Sequence, residues 1–316
     1  MLKHFNTYVV FIMQCVMVIL FYSCNKDKYI TKQYWENFTT EDGLVNGIIN
    51  SVAIDNKGNK WFGSKNGVSV FNDTIWRSYN ISNGLGDNYV QSIISDPQGK
   101  ILIATHAGIS VFDGLIWSHI NTGNSEIPGD TISSIVFDKQ QNLWVAVAGK
   151  GITKFDGNTW TTYSTKDGLA SNYIISIAID DFGNFWFGSF SSVTKFDGTN
   201  WVSYSTAENS KLRLIQKIGV DKKGALWVGT VDDLLIYNGA TWKSYNLSMF
   251  DIAFDDSNTK WICGNDLASF DDQNWHHFSY PNSEAYYYSI VIDKYGTKWI
   301  GSDQGVFKFY EVKIPQ

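Results

Sequence analysis

The chain has 316 residues, of which 44% are hydrophobic and 16% aromatic, with only 4 prolines, so it is long enough to bury a large core within one domain. The formal net charge of -6 argues against nucleic acid as a partner, because a phosphate backbone is bound by a basic surface.

The first 23 residues are predicted to be a targeting signal. Lys3 precedes an apolar stretch from Tyr8 to Phe21, which fits a signal-peptide core and is shorter than the roughly 20 residues of a membrane-spanning helix. Polar residues follow Ser23 and Cys24, and this junction resembles the cleavage site of a bacterial lipoprotein. We expect lipidation of Cys24 and a tether over residues 24–34. Simple secretion and an uncleaved anchor are the alternatives.

Lipidation would leave one cysteine for the fold. Cys15 would be removed with the signal, so Cys263 would have no partner for a disulfide. We therefore expect aromatic packing to hold the domain together, since each large aromatic side chain buries roughly 150 to 250 Å².

Thirteen tryptophans divide the rest of the chain into repeats of about 40 residues. They form two series in step, which are Trp35, Trp76, Trp117, Trp160, Trp201, Trp242 and Trp275, and Trp61, Trp144, Trp186, Trp227, Trp261 and Trp299. A period of this length with several short strand patterns is typical of a β-propeller with one blade per repeat.

Each repeat contains four strand patterns separated by turn signals. In one copy, a strand ends at Asp180, and the spacing to Gly183 predicts a tight hairpin before the strand of Trp186. A third strand follows, and the dipeptide Asp197-Gly198 predicts a second hairpin before a fourth strand that opens with Trp201.

The last repeat lacks its fourth strand, and the chain has an extra one at its start. Seven copies of the second strand are centred on Trp61, Leu102, Trp144, Trp186, Trp227, Trp261 and Trp299. We expect Trp35 to Phe38 to pair with the strand around Phe307 to Tyr310. Such pairing removes the free sheet edges. The prediction is an all-β, seven-bladed propeller over residues 35–316, closed by an N-terminal strand that completes the last blade.

These motifs together resemble the two-component regulator propeller repeat. In one copy they read Asp167-Gly168-Leu169, then Ile175-Ser176-Ile177, then Asp180 to Gly188, then Phe196-Asp197-Gly198 with Trp201 and Tyr204. Members of that family often form the sensor part of membrane histidine kinases that respond to extracellular carbohydrate. The resemblance therefore implies a propeller outside the cytoplasm, while the signalling output does not carry over.

Charged residues break the pattern of the first strand in two neighbouring copies. Four residues before the aspartate that begins each Asp-x-x-Gly turn, five copies have serine, whereas the other two have Lys217 and Asp251. These two residues are expected either to form an ion pair with a structural role or to bind a polar ligand. Further candidate ligand residues are His106, Lys65, Asp232 and Asp266, because they lie in loops expected on the binding face.

No sequence motif identifies catalytic residues, a cofactor or a metal site. The acids of the Asp-x-x-Gly turns are expected to cap those turns, since calcium loops need several oxygen ligands. We expect a lipid-anchored binding or sensing module facing the periplasm or the cell exterior. Its partner would be a polar ligand or a carbohydrate. Alternatives are a propeller lyase or hydrolase with catalytic loop residues, and a scaffold for an envelope protein.

Overall fold

The computed structural model describes residues 29–280 and 284–315. The predicted signal segment and Cys24 lie outside these residues. The described chain contains one 3-10 helix, Ile81–Asn83, and 28 strands. The strands are β1 (Tyr29–Phe38), β2 (Ser51–Ile54), β3 (Lys60–Ser64), β4 (Gly67–Phe71), β5 (Trp76–Tyr79), β6 (Ser92–Ser95), β7 (Ile101–Thr105), β8 (Gly108–Phe112), β9 (Trp117–Ile120), β10 (Ile132–Phe137), β11 (Leu143–Val147), β12 (Gly151–Phe155), β13 (Trp160–Tyr163), β14 (Ile174–Ile179), β15 (Phe185–Ser189), β16 (Ser192–Phe196), β17 (Trp201–Ser205), β18 (Ile215–Val220), β19 (Leu226–Thr230), β20 (Leu234–Tyr237), β21 (Trp242–Tyr245), β22 (Asp251–Phe254), β23 (Lys260–Cys263), β24 (Leu267–Phe270), β25 (Trp275–Phe278), β26 (Tyr287–Ile292), β27 (Lys298–Ser302) and β28 (Gly305–Pro315).

These strands form seven four-stranded sheets. Blades 1 to 6 each take four consecutive strands, from β2–β5 to β22–β25. Blade 7 has the order β1-β28-β27-β26, so the N-terminal strand completes the sheet begun by the C-terminal strands. The predicted seven-bladed, all-β propeller and its closure are therefore confirmed.

The described chain divides into two compact units. The larger one, Trp35–Phe309, contains the seven sheets. The described part of the smaller one comprises residues 29–34 and 310–315, which are strand residues of β1 and β28. In it, Tyr34 stacks on Tyr310 with ring centroids 5.2 Å apart. Residues 29–34, assigned to the tether from the sequence, thus belong to β1, and β28 extends to Pro315, beyond the predicted strand around Phe307 to Tyr310.

The Asp-x-x-Gly segments form the predicted hairpins. In blade 4, Oδ1 of Asp180 accepts hydrogen bonds from the backbone N–H groups of Phe182 and Asn184. Gly183 takes a φ of 87°, which a residue without a side chain adopts at no steric cost. Gln141 and Asn258 occupy the glycine position in two other blades and still take φ angles of 66° and 63°. The turn geometry is therefore kept where glycine is absent.

Tryptophan packing builds the core between neighbouring sheets. All six tryptophans of the second series are buried, and Leu102 is buried at the equivalent position of blade 2. The first series is half-buried, and each member lies against the aromatic residue paired with it on the third strand. The rings of Phe196 and Trp201, for example, stack at 4.1 Å.

The glycine of the Gly-Leu dipeptide before some blades packs closely against a neighbouring tryptophan. Gly168 has a φ of 121°, and an added Cβ there would lie 2.7 Å from Cγ of Trp201. Asp167 accepts a hydrogen bond from the backbone N–H of Ser164, and Leu169 is buried next to this turn. A side chain at position 168 would therefore meet both backbone strain and a clash.

Candidate functional site

The propeller has two distinct ends. On one end, which we call the loop face, lie the connections between blades and the loops between the second and third strand of each blade. On the other, the turn face, lie the Asp-x-x-Gly turns and the turns between the third and fourth strands. All six candidate ligand residues predicted from the sequence are in or next to loops of the loop face.

Tyr89 and Gln91, which were not predicted from the sequence, connect Lys65 with His106 on the loop face. The ring of His106 stacks on Tyr89 at 4.4 Å and with 13° between the planes, and the Lys65 ammonium lies 5.5 Å from the Tyr89 centroid. Gln91 Nε2 is 3.0 Å from Nε2 of His106. We call these four residues the Tyr89 cluster. It joins an aromatic pair, a cation and an amide at the boundary of blades 1 and 2.

The backbone holds the Tyr89 cluster in place. The N–H of His106 donates to Asp87 Oδ2 at 3.2 Å, and the N–H of Tyr89 donates to Oδ1 of the same carboxylate. One acid thus ties the loop that carries Tyr89 to the loop that carries His106. The side chains of Lys65 and His106 are exposed, while Tyr89 and Gln91 are half-buried. The aromatic pair is therefore fixed at the surface.

Lys217 and Asp251 form the ion pair that the sequence left as one of two alternatives. Lys217 Nζ lies 3.1 Å from Asp251 Oδ1, and the two side chains are 40% and 9% exposed. Asp251 Oδ2 also accepts hydrogen bonds from Ser289 Oγ and from the backbone N–H of Ile290. Asp251 is thus satisfied from both sides, which favours a structural role, while the Lys217 ammonium keeps access to solvent.

A hydrogen bond from the next blade explains why serine and aspartate can both occupy that position. Ser176 Oγ accepts a hydrogen bond from the N–H of Ile218 in the next blade, and Ser289 Oγ accepts one from the N–H of Val52. Asp251 makes the same type of bond to Ile290. In blades 4, 6 and 7 the side chain at this position therefore links its blade to the next one, with serine or with aspartate.

The other two predicted residues lie apart from these groups. Asp266 Oδ2 is 2.6 Å from Nδ1 of His277, so its carboxylate is engaged within blade 6. Asp232 is exposed, and its side chain has no hydrogen-bond or ion-pair partner in the described part of the chain. The structure thus brings together Lys65 with His106 and Lys217 with Asp251. Among the residues that the structure describes, no hydrogen bond, ion pair or ring contact connects the two pairs.

Several large apolar side chains are exposed on the loop face and were not singled out from the sequence. They are Ile48, Tyr173, Phe190, Leu214, Val231 and Tyr286. Ile48, Tyr173, Leu214 and Tyr286 share one signal with Tyr89, because each lies three residues before the repeat position that holds Ser, Lys or Asp. Aligning the copies on that position would have revealed them.

Cys263 is the one cysteine among the described residues, and it is buried. No group of three or more His, Cys, Asp and Glu side chains in residues 29–280 and 284–315 is arranged to hold a metal ion. Burial raises the pKa of the Cys263 thiol well above its ordinary value, so the thiolate form that reacts is disfavoured. His276 and His277 point to different acids, Asp271 and Asp266.

The fold and the loop face define a seven-bladed propeller that displays aromatic, cationic and amide groups at one end. The sequence model of the family described as Two component regulator propeller matches residues 168–191. The match confirms the resemblance over that segment, which includes the Gly168 turn and Trp186. No curated protein matches the sequence. Within the described residues, none of the helical segments has the length and apolar character needed to cross a membrane.

Solved structures share the fold across most of the chain. The extracellular domain of BT3049 from B. thetaiotaomicron, assigned as a hybrid two-component system, has a TM-score of 0.77 and 22% identity, covering 88% of this chain and 42% of that chain. The extracellular domain of BT4673 from the same organism, assigned as a one-component system, has a TM-score of 0.72 and 19% identity, covering 87% and 42%. This chain therefore spans less than half the length of those two chains.

An enzyme also has this fold. A catalytically inactive virginiamycin B lyase from Staphylococcus aureus, with quinupristin, has a TM-score of 0.71 and 14% identity, covering 89% of this chain and 99% of that chain. At such identities the similarities show a common architecture alone. A shared architecture does not assign a function, because one fold supports many unrelated functions.

Proposed function

We propose that this protein is an extracytoplasmic binding module that recognises a carbohydrate on its loop face. The observation that carries the proposal is the Tyr89 cluster, in which a stacked aromatic pair lies beside the Lys65 ammonium and the Gln91 amide. The shared fold with extracellular domains of B. thetaiotaomicron systems supports a sensing role outside the cytoplasm.

The cluster has the chemistry that a sugar requires. A pyranose ring has apolar C–H faces, which pack on aromatic rings, and a rim of hydroxyl groups, which need hydrogen-bond partners. His106 is exposed and offers a ring, while Gln91 and Lys65 offer donors close to it. A few placed polar groups around an apolar contact surface are typical of small-ligand sites.

A titration with oligosaccharides tests the proposal. A glycan array would first identify ligands for the purified chain, and calorimetry would then measure their affinity for the wild type and for Tyr89→Ala and His106→Ala. We expect each substitution to weaken binding about tenfold or more, because the aromatic contact is lost. Undiminished affinity in both variants would exclude the Tyr89 cluster as the site.

The turn face offers a matched control. Lys294 lies 5.0 Å from the ring centroid of Tyr295, so this pair repeats the Lys65 and Tyr89 arrangement at the other end of the propeller. Tyr295 is largely exposed. Tyr295→Ala should therefore leave glycan affinity unchanged. A loss equal to that of Tyr89→Ala would indicate non-specific adsorption to exposed rings.

A protein partner is the second candidate, supported by the exposed apolar side chains of the loop face. Tyr173, Phe190 and Leu214 are each at least half exposed. Exposed apolar patches of this kind often mark interaction sites. Crosslinking in envelope fractions would then capture one defined partner with the wild type and lose it with Phe190→Ser.

Turnover of a bound ligand that His106→Ala abolishes would instead support the enzyme alternative.

Attachment to the membrane through a lipid on Cys24 completes the proposal. The support is the junction after the apolar stretch, where Ser23 precedes Cys24 and polar residues follow. Incorporation of labelled palmitate into the wild-type protein, and its loss in Cys24→Ser, tests this assignment. A soluble, unlabelled wild-type protein released from the cell would contradict it.

A further inference from the structure

Lysine ammonium groups cover the indole rings of the second tryptophan series, with one exception. The pairs are Lys154 with Trp144, Lys195 with Trp186, Lys260 with Trp227, Lys298 with Trp261, and both Lys60 and Lys308 with Trp299, at 3.7 to 5.8 Å from the ring. Trp61 has no such cation among the described residues. One of six equivalent indoles therefore lacks the cation that the others have.

The strand register explains the exception. Lysine reaches the ring either from the third strand of the same blade, as Lys154 does opposite Trp144, or from the start of the second strand in the next blade, as Lys260 does. For Trp61 these two places hold Val70 and Ile101. Valine and isoleucine are too short to fill the space of a lysine, so a gap remains beside the ring.

The gap is a cavity of about 170 Å³ on the turn face, between blades 1 and 2. Among the residues that line it are Lys57, Asn59, Trp61, Asn72, Arg77 and Tyr79. Its volume is below that of sites for drug-sized molecules, roughly 300 Å³ and more. The cavity therefore has room for a small molecule.

Two cations line this cavity without a partner. The side chains of Arg77 and Lys57 make no hydrogen bond or ion pair within residues 29–280 and 284–315. Arg77 lies on β5 directly opposite Val70, so a cationic side chain is displaced by one strand from the place that lysine takes in blades 3 and 4. At that position Arg77 lines the cavity and does not cover the Trp61 indole.

The one acid of the lining is already engaged. Asp55 Oδ1 accepts from the N–H groups of Lys57 and Asn59, and Oδ2 accepts from Asn59 Nδ2 and Trp61 Nε1. Asp55 is 8% exposed, and its carboxylate holds the turn. The charges of the lining that remain unpaired are thus positive. Beside them, Trp61 and Tyr79 form an aromatic wall, with ring centroids 6.1 Å apart.

We propose that this cavity binds a small carboxylate that carries a ring. The carboxylate would pair with the Arg77 guanidinium, whose planar fork suits a bidentate contact, and with the Lys57 ammonium. The ring would lie in the space beside the Trp61 indole that lysine occupies in other blades. An inorganic anion would make no use of the aromatic wall, and an organic cation would meet two like charges. The site is on the opposite face from the Tyr89 cluster and does not depend on the proposed function.

Calorimetry with four probes tests the site and separates two ligand sources. Benzoate represents an aromatic acid and glucuronate a sugar acid, while benzyl alcohol and glucose are their neutral counterparts. We expect saturable binding of at least one carboxylate, with its neutral counterpart about tenfold weaker or more, and weaker binding as salt is raised. Absence of binding for both carboxylates, or equal affinity for acid and neutral probes, would overturn the proposal.

Two substitutions locate the binding in the cavity. Val70→Lys restores the lysine that blades 3 and 4 place opposite their tryptophans, so it should fill the gap and abolish binding. Arg77→Gln keeps an exposed polar side chain on β5 and should weaken binding about ten- to a hundredfold. Arg77→Lys, which keeps the charge but not the fork, should fall between Gln and the wild type.

Matched variants in blade 5 complete the test. Ile236 and Lys243 hold the positions of Val70 and Arg77 in a blade whose tryptophan is already covered by Lys260. Ile236→Lys and Lys243→Gln should leave affinity unchanged, and thermal melts should show that each variant folds. Wild-type affinity in folded Arg77→Gln, or equal losses in the blade 1 and blade 5 variants, would contradict the assignment.

Discussion

The indole nitrogen of Trp144 donates a 2.9 Å hydrogen bond to Oδ2 of Asp138, the turn acid six residues before it. The same bond links all six tryptophans of the second series to the acid of their own hairpin, at 2.9 to 3.3 Å. Burial alone would raise the pKa of Asp138, but hydrogen bonds from Asn142 and Trp144 outweigh burial and keep this pKa below its ordinary value. One carboxylate therefore holds both the turn and the core aromatic.

Removing this acid should destabilise the propeller strongly. Asp138→Ala leaves the backbone N–H groups of Gln140 and Asn142 and the buried Trp144 nitrogen without their acceptor. We expect a loss of about 2 to 4 kcal/mol in the free energy of unfolding, measured by urea denaturation. Asp96→Ala is the control, because within the described chain the Asp96 side chain accepts only from the backbone N–H of Lys100 and Leu102 replaces tryptophan in blade 2. Equal losses in the two variants would show that the additional bonds of Asp138, the indole bond included, contribute nothing.

The turns between third and fourth strands should make stability depend on acid pH. Backbone N–H groups of Thr159 and Asn158 donate to Asp156, and these bonds lower its pKa to about 2. In the unfolded chain the pKa of an aspartate is about 3.9. Because the folded value is the lower one, this stabilisation is complete above the unfolded pKa and is lost as pH falls through the folded pKa.

Asp156→Asn isolates this contribution. Asparagine makes the same turn contacts without a charge, as Asn238 does in blade 5 by accepting from the N–H groups of Ala240 and Thr241. We expect the melting temperature of the wild type to fall more steeply than that of the variant between about pH 4 and pH 2. Parallel curves would mean that Asp156 titrates with the same pKa in both states.

The link between blades 6 and 7 should tolerate serine but not alanine. Asp251→Ala leaves the N–H of Ile290 and the Ser289 hydroxyl without their shared acceptor. We expect a loss of about 1 to 3 kcal/mol in the free energy of unfolding. Asp251→Ser should lose less than about 1 kcal/mol, because a serine hydroxyl accepts the equivalent bond in Ser176 and Ser289. A larger loss in serine than in alanine would refute the linking role.

Closure of blade 7 should depend on Trp35. Its ring lies 4.6 Å from that of Phe309 and also contacts Phe307, Tyr287 and Tyr280. Trp35→Ala should lower the free energy of unfolding by about 2 to 4 kcal/mol, seen as a clear drop in melting temperature by circular dichroism. Tyr34→Ala, on the exposed side of the same strand, should change it little. Equal melting temperatures for Trp35→Ala and the wild type would contradict closure through this residue.

Much of the candidate site followed from the repeat, and part of it did not. The ion pair of Lys217 and Asp251 could be anticipated because equivalent strand positions in neighbouring blades lie side by side. The stack of Tyr89 on His106 could not be anticipated, because the two residues lie in different loops of blade 2. The distance between these loops depends on the folded blade and not on their spacing in the sequence. The indole bond from Trp144 to Asp138 was also missed, because turn capping alone already accounted for the acid.

The sequence by itself determined the number of blades, their four strands and the closure by Trp35 to Phe38. It could do so because each blade uses local turn chemistry and one aromatic spacing, repeated along the chain. Only the tertiary structure decided which side chains meet across a blade boundary and which space stays empty. The cavity beside Trp61 shows the reason, since it arises from the joint shape of Val70 and Ile101, which belong to different sheets and touch the ring from two directions.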